Sequence, residues 1–549
     1  MFSNLLLKMW KNFSNSIQNK NQVFSPKSIK ELKQIISDVS KQQNKSIRCF
    51  SAGHSYAASI TSESEKDREN VVLVDLKQLN AIVLCATSEN KDNRTVIVEP
   101  AATFEQIETF LEKHNLTLPN FTGCLDLSIG GCLSASSHGT GYHASVVEYV
   151  ESVTLLRADG HEMIVKKKDS LFPMICGGLG VLGIVIRIEL KVEAITVYTE
   201  SHTEYEFESK EFQELITETS NNVRDSVAQQ SNFDHCFWVP IANKFYYFKR
   251  RRCAMKSTNS KDDDDVKVVK GNNSESWLGK LSDSLSPISA KFLNSIRSKD
   301  WMSARTAFKT LATFYAIELK QLPTQNSMFQ LEKPVSDLAS RVQNVFEMGE
   351  DSEVFIPANK ILNALKMYNF LFRVLLNDPL NEKHMTSLQI QEDLSLRSVL
   401  VNNMLWQETL DAIHSKALFT SPVEVRFVPS TRLSILAANY GEDMWSVSMP
   451  WFGTREDSVH YKKAMNLFLK VCLRVYNGRF HFGKYNPIGA QNQDEKKQSD
   501  DSESSDNFLQ EIRMHYGSEI AAYNKLFRRD WQAERKLFRN DFINAFFAG

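Results

Sequence analysis

The side chain with the sharpest chemical possibilities is His54, carried in the run Ser51-Ala52-Gly53-His54-Ser55 just after a short apolar stretch. Small residues let successive backbone N–H groups converge on an anion, and a histidine among them lies close to whatever carries that anion. Alone, such a run reads as a turn more often than as a site. Two later runs of the same character change the reading: Gly130-Gly131-Cys132-Leu133-Ser134-Ala135-Ser136-Ser137-His138-Gly139-Thr140-Gly141 and Gly177-Gly178-Leu179-Gly180-Val181-Leu182-Gly183-Ile184. A second chemistry is written in Val423-Glu424-Val425-Arg426-Phe427. In a strand, residues two apart share a face, so Glu424 and Arg426 point together while Val423, Val425 and Phe427 face a core. A carboxylate beside a guanidinium can accept from one hydroxyl and donate to a neighbouring oxygen. An ordinary ion pair is the other reading of the same two residues.

Those groups need elements to position them, and the first third of the chain reads as short strands alternating with helices. Ser28 to Ser40 has Ile29, Leu32, Ile35, Ile36 and Val39 at helical spacing, and Ser28 with Glu31 has the form of a capping box. Val71-Val72-Leu73-Val74 and Val96-Ile97-Val98 read as buried strands, and Phe104 to His114 as a helix. Val153 to Leu156 and Met163 to Val165 flank a turn at Ala158-Asp159-Gly160, which predicts a hairpin. Ile184 to Val192 is rich in β-branched residues and predicts a strand. The pattern is α+β. A polar tract with four consecutive aspartates falls near 257–276, and a second polar tract near 491–506; both predict solvated, disordered segments.

At 549 residues the chain is too long for one ordinary core, so two or more domains are expected. A net charge of −1 and the lack of a basic stripe argue against nucleic acid as a partner. The eight cysteines form no CxxC pair and no metal-ligand spacing, so they read as reduced thiols and no metal is expected. No stretch approaches the roughly 18 apolar residues of a membrane span. The apolar run at the N-terminus is too short for a signal peptide, so it reads as a docking segment. These features predict an intracellular protein, cytoplasmic or peripherally membrane-associated.

The three small-residue loops, in this order and spacing, resemble the flavin domain of the vanillyl-alcohol oxidase superfamily, and within it the branch of sugar-lactone and alditol oxidases. Trp10-Lys11-Asn12-Phe13-Ser14 is similar to the opening of that branch, and Tyr523 to Asn540 to its C-terminal element, with Asp530-Trp531 where the family has Asp-Pro. The resemblance implies a two-domain flavoprotein: an N-terminal segment 1–25, an FAD-binding PCMH-type domain 26–193, a substrate-binding α/β cap 194–477 and a C-terminal segment 478–549 returning to the flavin. It implies FAD as cofactor, with Ser51, Ala52, Gly53 and Ser55 cradling the pyrophosphate and His54 bonded to the flavin's 8α-methyl. Gly130, Gly131, Ser134, Ser137, His138, Gly139, Thr140 and Gly141 would line pyrophosphate and ring, with His138 shaping the loop. Gly180, Gly183 and Ile184 would pack by the adenine end.

On the substrate side the resemblance implies that Glu424 and Arg426 orient the substrate. In Arg479-Phe480-His481-Phe482-Gly483-Lys484, similar to the family's His-Trp-Gly-Lys, Lys484 would lie near flavin N1–C2=O and His481 would support the pocket. The expected reaction is oxidation of a C–OH group of an aldono-1,4-lactone, with O2 or another acceptor taking the electrons; an alditol is the alternative substrate. Cys124 stands where the berberine-bridge branch makes a second flavin bond, so a bicovalent cofactor is a further alternative. A flavin-free scaffold that keeps the fold is the reading from another class.

Overall fold

The computed structural model describes residues 8–56, 70–85, 94–141, 143–207, 209–228, 233–240, 243–253, 325–326, 348–375, 387–407, 409, 423–453, 455–486, 488 and 502–547. The polar tract near 257–276 lies outside these residues.

A first sheet is built from β1 (Lys8–Lys11), β2 (Gln18–Phe24), β3 (Ser46–Phe50) and β4 (Val71–Asp75) in the order β1-β2-β4-β3. The strands β2 and β3 run parallel to β4, which is why Val71 to Val74 is an unbroken apolar run, buried throughout. The segment before residue 26 therefore contributes two strands to this sheet, with Trp10 buried under it. The helix Ile29–Ser40 crosses from β2 to β3 and buries Leu32, Ile36 and Val39. Ser28 caps it, accepting from the Glu31 N–H at 3.2 Å, but the expected box is incomplete. The Glu31 carboxylate reaches one residue further back, to the Lys27 N–H at 2.9 Å. The reciprocal box sits instead at Thr103 and Gln106, opening the helix Phe104–Glu112.

A second, antiparallel sheet joins β5 (Ile82–Leu84), β6 (Thr95–Val98), β8 (Val150–Leu156), β9 (Glu162–Lys166) and β10 (Ile184–Lys191) in the order β5-β6-β10-β8-β9. The expected hairpin is β8 with β9, turning through Gly160 at φ +82. A short pair, β7 (Leu116–Thr117) with β11 (Glu193–Ala194), closes this layer.

The third sheet has eight strands: β12 (Val197–Glu206), β13 (His235–Val239), β14 (Lys244–Cys253), β15 (Gln325–Asn326), β16 (Met348–Pro357), β17 (Val423–Val428), β18 (Met444–Gly453) and β19 (Arg479–Phe480). Their order is β15-β12-β14-β13-β17-β18-β16-β19. Register divides its centre into two faces. Cys236, Val425, Val447 and Val354 stand in line on one face, all buried. Helices Lys210–Ala228, Ile361–Leu375 and Arg455–Tyr476 cover that side: Trp238 meets Phe372 at 5.3 Å, and the Trp445 indole donates to Ser220 at 3.0 Å. The other face carries Phe237, Glu424, Ser448 and Glu353 in one row and His235, Arg426, Ser446 and Phe355 in the next.

The C-terminal helices Gly517–Phe527, Gln532–Leu537 and Asp541–Phe547 pack back on the first two sheets. Here the unusual Trp531 has work to do: the Arg157 guanidinium lies 4.3 Å from its ring and bonds the Asp530 carbonyl at 2.9 Å. The helix Ser502–His515 begins inside the second polar tract, near 491–506, and the earlier part of that tract lies outside the described residues. Burial of Phe508 and Ile512 anchors this helix, which extends back from them. Among the described residues no helix is long and apolar enough to cross a membrane, and seven cysteines are free thiols.

Candidate active site

The three small-residue loops, far apart in sequence, interlock. Ser51 and Ser128 share a hydroxyl hydrogen bond, tying the loop after β3 to the helix Ile129–Ala135. The second loop holds the third through Gly177 N–H to Leu133 at 2.7 Å and Leu179 N–H to Ser134 at 3.0 Å. Arg48, buried in the middle of β3, closes the triangle by donating to the Leu179 carbonyl at 2.7 Å. Burial pushes that guanidinium down to about 10, a measure of how little water reaches it.

Small residues are required where the backbones meet. A Cβ on Gly139 would stand 2.0 Å from the Phe121 carbonyl oxygen, so no other residue fits without moving main chain. Gly53 has room around it, but its φ of +74 is the left-handed conformation that glycine adopts freely. Gly130, Gly131 and Ser134 lie on the short helix, and Ser137, Thr140 and Gly141 on the loop beyond it. Gly180 and Gly183 precede β10, where Ile184 pairs with Leu156 and is buried in the core. Ala52 and Ser55 flank Gly53 and His54 in the first loop.

His54 is held on several sides. Its ring stacks on Phe13 with centroids 4.0 Å apart, and its Nε2 lies 3.0 Å from Asp126 Oδ2. The loop itself is pinned by Phe13 N–H to the Gly53 carbonyl at 2.8 Å and by Asn12 Nδ2 to the Ser55 carbonyl at 3.0 Å. Burial works to raise the Asp126 carboxyl, but the hydrogen bond from His54 prevails and holds it below its ordinary value. Two residues on, Tyr56 N–H donates to the Gly483 carbonyl at 2.9 Å, so the first loop meets the Lys484 turn directly.

The polar face of the third sheet closes over these loops. Gly141 N–H bonds the Phe427 carbonyl at 3.2 Å, and His138 Nε2 reaches Glu353 Oε1 at 3.1 Å. Glu424 and Arg426 share that face, as expected, and are ion-paired with each other. Arg426 packs so close to Gly123 that a Cβ there would meet its Nη2 at 2.5 Å. Lys484 pairs with Asp351 and sits 5.4 Å from the Tyr56 ring. Burial alone would lower its ammonium, but Asp351 and then Glu353 raise it above its ordinary value, so the cation persists at neutral pH. His481 accepts from Gly483 N–H at 3.0 Å, and burial takes it down to about 4, so it braces the Lys484 turn as a neutral ring. Glu353 goes the opposite way from a buried acid: burial raises it, yet His138, His481 and Lys484 together hold it well below the carboxylate range. Phe482 turns away from the site into the aromatic cluster of Tyr516 and Phe546.

Gathered here are two kinds of chemistry: a backbone-lined cradle with a histidine beside it, and a buried face of paired charges opposite. Residues 21–165 match the family described as FAD binding domain. They are an FAD-binding domain. L-Gulonolactone oxidase of Mus musculus is 22% identical over 220 residues, 40% of this chain and 45% of that protein. D-Arabinono-1,4-lactone oxidase of Candida albicans is 27% identical over 236 residues, 40% of this chain and 39% of that protein. The chain thus spans less than half the length of these curated relatives. The fold extends much further: cholesterol oxidase from B. sterolicum superposes with a TM-score of 0.64 over 99% of this chain and 97% of that one, at 14% identity. The FAD-binding domain expected from the small-residue loops is the one that residues 21–165 match.

Asp126, Asp351 and Glu353 stand among these residues and were not singled out in the sequence, where Phe13 was read only as part of the N-terminal run. Asp126 follows Cys124 in an unremarkable stretch. Asp351 and Glu353 alternate just before Val354-Phe355-Ile356, the one local sign of a strand with an acidic face.

Proposed function

We propose that the protein is an FAD-dependent oxidase of aldono-1,4-lactones of the gulono-, galactono- or arabinono-lactone type. The observation that carries this reading is the polar face of the third sheet, where Glu424, Arg426 and Lys484 meet the FAD-binding loops. The cradle fits the cofactor: Gly53 at φ +74 and the close approach at Gly139 give it a wall without side chains. When bound, FAD supplies the acceptor for the hydride of a C–OH carbon and passes the electrons to O2 or another acceptor.

The chain's own residues do the rest. Glu424 accepts from the hydroxyl of the reacting carbon, and Arg426 donates to a neighbouring oxygen, so the pair fixes substrate orientation. Lys484 offers a fixed positive charge in a buried site, where it stabilises negative charge that develops on reduction. His54 tethers the cofactor. Cys124 lies within electrostatic reach of Glu424, Arg426 and Lys484, but burial pushes its thiol up to about 12. A thiolate is disfavoured there, which supports a single tether.

The two relatives above, both named as lactone oxidases, favour a lactone over an alditol. The test is a panel of lactones and alditols read by anaerobic flavin bleaching and then by oxygen uptake. Glu424→Gln should slow flavin reduction about 100-fold while leaving the flavin spectrum intact; unchanged kinetics would remove Glu424 from the mechanism. Protein that stays colourless when expressed with excess flavin would favour the scaffold reading.

A further inference from the structure

We propose that Asp126 makes His54 a nucleophile toward the flavin, by holding the ring in the tautomer whose Nδ1 carries the lone pair. This rests on the tether reading above and assigns a further residue to it. A neutral imidazole has one donor nitrogen and one acceptor nitrogen, and the partner of the first decides which is which. An ionised carboxylate only accepts. With Nε2 of His54 3.0 Å from Asp126 Oδ2, the proton belongs on Nε2 and the lone pair on Nδ1.

Two further observations fit this role. The ring cannot turn freely, because Phe13 stacks on it at 4.0 Å and 19° and is itself bonded to Gly53 at 2.8 Å. The second oxygen of the carboxylate, Asp126 Oδ1, is buried with no hydrogen-bond partner. That leaves negative charge unspent beside the ring. As Nδ1 forms its bond the imidazole becomes cationic, and that is the charge this oxygen would stabilise.

Nδ1 bonds the carbon of the flavin's 8α-methyl, and a C–H bond there breaks with loss of a proton. The Nε2 proton is then released toward Asp126, restoring a neutral ring. Two electrons remain on the flavin ring system and pass, with two protons, to dioxygen as hydrogen peroxide. Asp126 is a positioning residue here, acting through His54.

The experiment compares full-length wild type, Asp126→Ala and Asp126→Asn for acid-stable flavin, by in-gel fluorescence after acid precipitation. The native visible spectrum of each gives its total FAD. Wild type should keep its flavin through acid. Asp126→Ala should retain FAD in the native spectrum but lose about 10-fold or more of the acid-stable fraction. Asp126→Asn still accepts from Nε2 but without charge, and should fall between the two. If Asp126→Ala is colourless, Asp126→Leu, which fills the volume without an acceptor, decides the matter. Acid-stable flavin at the wild-type level in the folded Ala variant, or in Leu when Ala is colourless, overturns the role of Asp126 and leaves the tether standing. Flavin wholly released from wild type by acid overturns the tether, and this role with it.

Discussion

The two walls of the site are made of different materials. On the FAD side, contact is made by main chain: Gly177, Leu179 and Gly141 donate through backbone N–H groups, and Gly139 lies where a methyl group would strike the Phe121 carbonyl at 2.0 Å. On the sheet side, contact is made by charge: Glu424 with Arg426, Asp351 with Lys484, and Glu353 with His138. Backbone contacts are fixed once the chain folds and do not titrate. Buried charges are conditional on their partners and on pH. On the proposed function, the first wall suits a cofactor that always has the same shape, and the second a substrate whose hydroxyls must be polarised. Damage to the two walls should therefore differ in its pH dependence.

The largest effect belongs to the charged wall. Glu353 has 7% of its side chain exposed and is bonded to His138, which is equally enclosed. Glu353→Ala removes one partner of a buried pair and should destabilise the protein by about 3–5 kcal/mol at neutral pH. The sign with pH follows from the depressed carboxyl. Its contribution is present above the unfolded value of 4.5 and fades as pH falls through the folded value. Denaturation of the wild type and the variant at pH 7 and at acid pH checks this, and a gap that stays constant into acid would break the contrast between the walls.

This difference in material also decided what could be read from the sequence. The backbone wall is local: its loops are contiguous runs of small residues, so Ser51 to Ser55 and Gly130 to Gly141 announce themselves. Glu424 and Arg426 were legible because a strand's period of two lies within three residues. The rest of the charged wall is assembled across strands, with Glu424 beside Ser448 and Ser448 beside Glu353. No spacing in the chain records those neighbours. Gly349-Glu350-Asp351-Ser352-Glu353 is too polar to look like a strand inside a sheet, yet it pairs with β18 on one side and accepts from the His481 and Tyr485 N–H groups on the other. Asp126 was hidden for a similar reason, since only the folded loops bring it to His54.

A second effect sharpens the contrast on the same side. His481 is held down to about 4 from its ordinary 6.5, so the unfolded chain binds a proton that the folded chain refuses. Stability on its account is intact above pH 6.5 and falls as pH drops from there to about 4, by roughly 3 kcal/mol across the window. His481→Gln removes that titration. The variant should lose stability at pH 7, where Gly483 N–H loses its acceptor geometry, and recover relative to wild type as the pH approaches 4. Melting temperature against pH for both proteins is the measurement, and parallel curves would take His481 out of the network.

The smallest effect tests the backbone wall. Gly139→Ala places a methyl carbon 2.0 Å from the Phe121 carbonyl oxygen and 2.7 Å from the Asn120 side-chain oxygen. Neither neighbour is free to swing: Asn120 Nδ2 donates to the Thr140 carbonyl at 2.9 Å, and its oxygen accepts from Phe121 N–H at 2.7 Å. The main chain must shift, and overpacking of this kind destabilises by about 1–3 kcal/mol. The methyl carries no charge, so the loss should be the same at pH 7 and at acid pH below 4.5, unlike those at Glu353 and His481. Because Gly139 follows His138 in the loop assigned to the flavin, the variant should also bind FAD less completely. A loss of stability that varied with pH would mean that the shift had reached the His138–Glu353 pair, and the two walls would then be mechanically one.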